Sequence, residues 1–309
     1  MEVEKQLKTF VVQNPVSGLS DAPTIREKIS QVMDENQIPF EIYETTGKED
    51  IHEVVKTAIK KGFERFLAVG GDGTISGVAS GLVKTKIPLV IIPTGTVNAL
   101  ARELQIPMTL DEAVRWWVID SRSKMIDVLM VHERFYLINV SAGSSADIMT
   151  EVKREDIHRF GVLAYLWHSL KRISGIPSHR FQIAIDGKRV YFRASEVVVA
   201  NSGVLMGLKA LQLDPDASLD SGKLSVCYVR IRTIFDYVRI AFTILTTPPE
   251  ENRELNCLDV LREVTIQANR PIPVQGDGEL IGRTPVTVIL VPHSLHLILP
   301  PKRTATRSN

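Results

Sequence analysis

The chain has 309 residues, room for about two domains at roughly 150 residues each. Its 44% hydrophobic and 24% charged residues exclude wholesale disorder. With 37 basic against 36 acidic residues, a net of +1, it lacks the basic excess of a protein that coats nucleic acid. Two cysteines, Cys227 and Cys257, cannot form a disulfide framework or a four-ligand zinc site, and are expected as reduced, buried thiols.

No apolar run reaches the ~18–20 residues that span a bilayer. Met1 to Lys8 mixes acids and bases and lacks the apolar core of a signal peptide. The expected setting is the cytoplasm, with room for peripheral contact with a membrane surface.

Along the first 127 residues, short apolar runs alternate with amphipathic stretches. Phe10-Val11-Val12 reads as a strand stopped at Asn14-Pro15, where proline has no N–H for a sheet. Thr24 to Met33 places Ile25, Ile29 and Val32 at helical spacing. Phe40 to Tyr43 alternates like a strand, and Asp50 to Lys61 is helical again. Phe66 to Val69 and Leu89 to Ile92 are continuous apolar runs, the mark of strands covered on both sides. Ser76 to Val83, Leu100 to Leu104 and Leu110 to Val118 suit helices. This rhythm predicts an α/β domain with a mostly parallel sheet.

From about residue 128 onward the apolar segments are short and strand-like. They are Phe135 to Val140, Phe181 to Ile185, Val190 to Phe192, Glu196 to Ala200, Leu224 to Val229, Val264 to Gln267, Val286 to Val291 and Leu295 to Leu299. Turn signals such as Asp186-Gly187 separate them, so residues 128–309 are predicted to form an antiparallel β-sandwich. Two helices, Ile157 to Ile173 and Thr233 to Leu245, are expected to interrupt it. The first suits a membrane interface and a cover for the sandwich core equally well. His293 and His296, three apart in an expected strand, should point to opposite faces.

The sharpest chemical signal is Gly70-Gly71-Asp72-Gly73-Thr74, between a strand and a helix. Glycines there let the backbone approach a ligand, and the N–H groups of the turn and first helical turn can face a phosphate. A carboxylate at Asp72 would repel that phosphate unless it serves a metal ion or a proton transfer. A second glycine turn, Pro93-Thr94-Gly95-Thr96-Val97-Asn98, follows the next strand, and Thr96 or Asn98 could equally cap the following helix. Asn14-Pro15-Val16-Ser17-Gly18 ends the first strand. Parallel strands set such turns side by side, the place where open α/β sheets bind ligands. Late in the chain Gly276-Asp277-Gly278 reads as a flexible turn able to present Glu279, or as a plain hairpin turn.

The set NPVSG, GGDGT and PTGTVNALAREL, followed by QGDGE at Gln275 to Glu279, resembles the diacylglycerol kinase catalytic domain family, which includes diacylglycerol, sphingosine and ceramide kinases. GGDGT alone is shared with NAD kinases. The resemblance implies a nucleotide-binding α/β domain over 1–127 and a β-sandwich over 128–309 that contributes catalytic and lipid-binding residues. It implies ATP and Mg2+ as cofactors, transfer of the γ-phosphate to a lipid hydroxyl, and a lipid substrate at a membrane surface. By motif position Asn14, Thr45, Gly70, Gly71, Asp72, Gly73, Thr74, Gly95, Thr96 and Asn98 would hold the nucleotide. Glu279 corresponds to the family's proton acceptor, with Asp277 and Asp72 also assigned to catalysis, and Asp127 matches an acidic position associated with magnesium. In two places the chain departs from many members: Ala99 follows Asn98 where they have aspartate, and Leu219-Asp220-Ser221-Gly222 alters a metal loop in which Asp220 is the candidate ligand.

Phosphoryl transfer needs alignment and charge neutralisation more than covalent help. An alcohol acceptor must also lose a proton, and a carboxylate in reach contributes about 10²–10⁴ in rate. The alternatives from the same residues are an NAD kinase, on GGDGT alone, and a nucleotide-binding regulatory protein without turnover, on Ala99 and the 220–222 loop. A homodimer is allowed, with nothing in the sequence marking an interface.

Overall fold

The computed structural model describes residues 6–18, 21–146, 177–201, 218–229 and 256–301. The two helices expected over 157–173 and 233–245 lie outside the described residues. The chain divides into two units, one of residues 1–125 with 295–309 and one of residues 126–294.

In the first unit β1 (Thr9–Gln13) is buried throughout, and α1 (Ala22–Glu35) follows it. Asp21 accepts the Thr24 N–H at 3.2 Å and Pro23 sits in the first turn. The helix therefore starts two residues before the apolar periodicity does. Its Ile25, Ile29, Val32 and Met33 are buried. After β2 (Phe40–Glu44), Asp50 caps α2 (Ile51–Lys60) through the His52 N–H. Next come β3 (Arg65–Gly70), α3 (Asp72–Leu82), β4 (Leu89–Pro93) and α4 (Ala99–Glu103). The helix expected over Leu110 to Val118 is two short ones, α5 (Leu110–Ala113) and α6 (Trp116–Ile119). The strands run parallel in the order β2-β1-β3-β4, so the sheet is the parallel one that the alternating pattern predicts.

The second unit holds most of β5 (Arg122–Val131), then β6 (Arg134–Tyr136), β7 (Asn139–Gly143), β8 (His179–Ile185), β9 (Lys188–Ala194), β10 (Glu196–Ala200) and β11 (Leu224–Val229). It continues through β12 (Asn256–Val260), β13 (Glu263–Ala268), β14 (Pro273–Gly276) and β15 (Glu279–Arg283) into β16 (Val286–Leu299). One sheet orders β12-β11-β10-β7-β14-β15, all antiparallel. The other includes β16-β13-β8-β9. Alternate residues of both, among them Val140, Ala142, Val197, Val199, Phe181, Ile183, Val264 and Ile266, share one core, and this makes the unit a β-sandwich.

Three expectations need correction. Val286 to Val291 and Leu295 to Leu299 are one strand, whose last residues belong to the first unit, where Leu297 pairs with Leu89. A boundary drawn once at residue 127 misses this return because the pairing has no local signature. His293 takes φ 44° inside β16 and so breaks the alternation that would set it opposite His296. Cys227 and Cys257 are not free thiols. They are direct partners across β11 and β12, with Cα atoms 4.1 Å apart, and form a disulfide. Among the described residues, no helix is long and apolar enough to cross a membrane.

Candidate active site

Parallel register brings the carboxyl ends of four strands of the first unit to one edge. Gln13 pairs with Glu44 and Val69, and Gly70 with Pro93. Thr45, Asn14, the glycine turn at 70–74 and Thr94 therefore line up along that edge. The Thr45 N–H donates to Gln13 O at 2.8 Å, and the Thr94 N–H to Gly70 O at 3.0 Å.

The turns are also bound to one another. Asn14 Nδ2 donates to Thr74 Oγ1 at 3.4 Å, and Thr94 Oγ1 to Ser17 Oγ at 3.1 Å. A Cβ on Gly95 would lie 2.5 Å from the Gly71 Cα, so the two glycine turns touch backbone to backbone and only glycine fits at 95. Asn98 is buried in the left-handed region, φ 51°. Its Oδ1 accepts the Gly95 N–H at 3.0 Å and its Nδ2 donates to Gly95 O at 2.7 Å. Asn98 thus closes the turn with its side chain, and Thr96 stands exposed at the tip.

Asp72 begins α3, where no side chain caps the helix. Its carboxylate instead lies near the start of α4, where the N–H groups of Ala99, Leu100 and Asn98 favour its charged form. The turns themselves meet directly, with Gly95 against Gly71. Burial raises its pKa above the ordinary carboxylate value, and those N–H groups oppose the rise. Oδ1 is enclosed and has no hydrogen-bond partner among the described residues. An orphaned buried oxygen beside a phosphate-type turn is suited to accept a cation.

In the second unit Asp277 and Gly278 form the two-residue loop of the β14–β15 hairpin, with φ 48° and 89°. This loop is not the flexible turn expected. The Asp277 carboxylate accepts the N–H groups of Leu137, Ile138 and Asn139 at 2.6, 2.9 and 3.0 Å, and its own N–H donates to Asn139 O. Asp186, in the other Asp-Gly hairpin, does the same for Leu261, Arg262 and Glu263. The shared geometry makes Asp277 a clamp that holds the turn, while Glu279 beside it is exposed. Burial and the carboxylates of Asp277 and Glu279 raise the Tyr136 phenol above its usual pKa, against the pull of Arg134.

Asp127 and the 219–222 loop are held together, but as a backbone junction. The Asp127 carboxylate is fully buried and accepts the N–H groups of Gly222 at 2.7 Å and His293 at 2.8 Å. Asp220 accepts Ser218 Oγ at 2.9 Å. Such donors suit backbone holding rather than magnesium, and among the described residues no three His, Cys, Asp or Glu groups cluster as for a metal.

Residues 8–131 match the diacylglycerol kinase catalytic domain, and residues 138–299 match the YegS C-terminal NAD kinase beta sandwich-like domain. The chain belongs to the diacylglycerol kinase catalytic domain family and is a lipid kinase. A probable lipid kinase YegS of Escherichia fergusonii is 30% identical to this kinase over 91% of the chain and 93% of its own length. A diacylglycerol kinase of Bacillus subtilis is 23% identical over 95% and 96%. A putative diacylglycerol kinase of Bacillus anthracis shares the kinase's fold with a TM-score of 0.80, at 23% identity over 96% of this chain and 98% of its own. Family membership sets aside the NAD kinase alternative.

Motif reading quoted Gln275 without giving it a role and passed over Ser141 and Glu196; the sandwich joins the three in one buried polar chain. Their only sequence signal is a polar residue inside an otherwise apolar strand.

Proposed function

We propose that this lipid kinase transfers the γ-phosphate of ATP, with magnesium, to the hydroxyl of a diacylglycerol-like lipid presented at a membrane surface. The observation that supports this most is the backbone contact of the two glycine turns at Gly71 and Gly95, with Asp72 beside them carrying a buried Oδ1 that has no partner among the described residues. The N–H groups of residues 70–74 hold phosphate oxygens, as helix N-termini do. Asp72 is the residue that fits a magnesium ion travelling with the nucleotide. Such an ion neutralises charge on the phosphates when bound. Glu279 takes the proton of the lipid hydroxyl as the oxygen attacks, and its exposure at the hairpin end leaves it open to substrate. The name of the Bacillus subtilis relative supports diacylglycerol as the first substrate to try.

Radiolabelled ATP and a panel of lipid alcohols, namely diacylglycerol, monoacylglycerol, sphingosine and ceramide, test the proposal. Label should pass to diacylglycerol most efficiently and only when magnesium is present. Transfer that ignores magnesium, or that favours a sphingoid base, contradicts the corresponding part of the reading.

A further inference from the structure

Glu279 sits on β15, at the end of its sheet, where among the described residues one side of the strand has no ladder to steady it. Asp277 clamps the turn from one side. A second set of contacts reaches it through the Gln275 side chain. The Gly278 N–H, immediately before Glu279, donates to Gln275 Oε1 at 2.8 Å. Gln275 Nε2 donates to Asn139 Oδ1 at 2.8 Å and to Ser141 Oγ at 2.7 Å. Ser141 Oγ is 2.8 Å from Ser145 Oγ, and Ser145 donates to Glu196 through both its hydroxyl and its N–H. Ser144 Oγ adds a donor to the same carboxylate at 3.1 Å.

The chain has a direction. Glu196 gathers the donors of Ser144 and Ser145 at its buried end, which sets the Ser145 hydroxyl toward it and leaves the Ser141 oxygen to accept from Gln275 Nε2. With its nitrogen so committed, the Gln275 amide must aim its oxygen at the Gly278 N–H. The backbone makes room for the anchor at Gly143, where φ is 137° and a Cβ would lie 2.8 Å from Glu196 Oε2 and 2.3 Å from Ser195 O. A strand position is given up to glycine so that this carboxylate can fold onto Ser144 and Ser145.

We infer that Gln275 is a positioning residue for Glu279, oriented by the Ser141–Ser145–Glu196 chain. The inference rests on the reading of Glu279 as proton acceptor. The Gln275 amide fixes the hairpin loop and so the direction in which the Glu279 carboxylate leaves the strand. Misplacing a reacting group by about 1 Å can cost on the order of a hundredfold in rate, so loosening this loop should show in turnover before it shows in folding.

The test is a kinetic cycle on the full chain, reading label transfer from ATP to diacylglycerol in mixed micelles. Gln275→Met keeps the volume and removes the hydrogen bonds. Placed in the wild type it should lower kcat about tenfold or more, with KM for both substrates and ATP affinity unchanged. Placed in Glu279→Gln, it should lower the residual rate no further, because the residue it positions is already disabled. A merely structural loss would multiply through both backgrounds, and that result overturns the inference. So does an unchanged kcat in the wild-type background while Glu279→Gln is impaired, in which case the reading of Glu279 still stands. Glu279→Gln as active as wild type overturns that reading and this inference with it. Should Gln275→Met fail to fold, Ser141→Ala cuts the link between Gln275 and the Glu196 anchor and takes its place in the same cycle.

Discussion

The carboxylate of Asp72, at the start of one helix, lies near the backbone N–H of Ala99, at the start of another, which favours its charged form. Family members that carry aspartate at the position of Ala99 would put a second acid there. Here the position is a buried methyl whose N–H serves Asp72. The two glycine turns also touch at Gly71 and Gly95, so substitutions in either should be felt by both.

Asp72→Asn tests this through opposite effects on stability and activity. Burial raises the Asp72 pKa in the folded state, with the N–H groups of Ala99, Leu100 and Asn98 opposing. The stability it contributes is therefore present below its unfolded value of about 4 and lost as pH rises through the folded value. Asparagine removes that loss. Thermal unfolding should show the variant as stable as wild type or more so near neutral pH, with its advantage shrinking as pH falls toward 4, roughly the unfolded carboxylate value. Transfer of label to lipid should drop about a hundredfold, the scale of one lost electrostatic group at a phosphate site.

Asn98 holds the second turn by two hydrogen bonds to Gly95 and tolerates a positive φ. Asn98→Ala loses both properties and should cost about 2–3 kcal/mol in urea unfolding. Asn98→Gly keeps the backbone conformation and should cost less. Both variants should bind ATP more weakly, because the turn opens in each.

Asp186 and Asp277 separate holding a turn from serving a site. Burial works against the charge of Asp186, but the N–H groups of Leu261, Glu263 and Arg262 outweigh it and hold its pKa low. Its stabilisation is present above the ordinary carboxylate pKa and lost as pH falls through the folded value. Asp186→Ala should cost about 1 kcal/mol at neutral pH, with the gap to wild type closing under acid, and should leave kcat unchanged. Asp277→Ala should cost at least as much and also lower kcat. Equal kcat in both variants would mean that the turn at 277 does not position Glu279.

How much of this was legible in the sequence depends on how local each cause is. The glycine turns declare themselves because a strand, a residue without Cβ and a helix start lie within a few positions. The Asp-Gly hairpins at 186 and 277 are visible for the same reason. The approach of Asp72 to α4 is not, since it depends on adjacent strands β3 and β4 bringing their turns together. Nor is Cys227 opposite Cys257, which follows from β11–β12 register. Glu196 reads as an ordinary polar residue at a strand end. Only the fold shows that it is buried and supplied with serine donors.

The central claim is that the touching glycine turns hold the nucleotide. Equilibrium titration of wild type, Gly95→Ala and Glu279→Gln with magnesium ATP tests it most directly, after circular dichroism confirms that each is folded. A Cβ at 95 would meet the Gly71 Cα at 2.5 Å, backbone that cannot swing aside. The account predicts saturable binding to wild type and to Glu279→Gln alike, and an affinity at least about tenfold weaker for Gly95→Ala, or roughly 1.4 kcal/mol. A folded Gly95→Ala protein that binds ATP as tightly as wild type would contradict it.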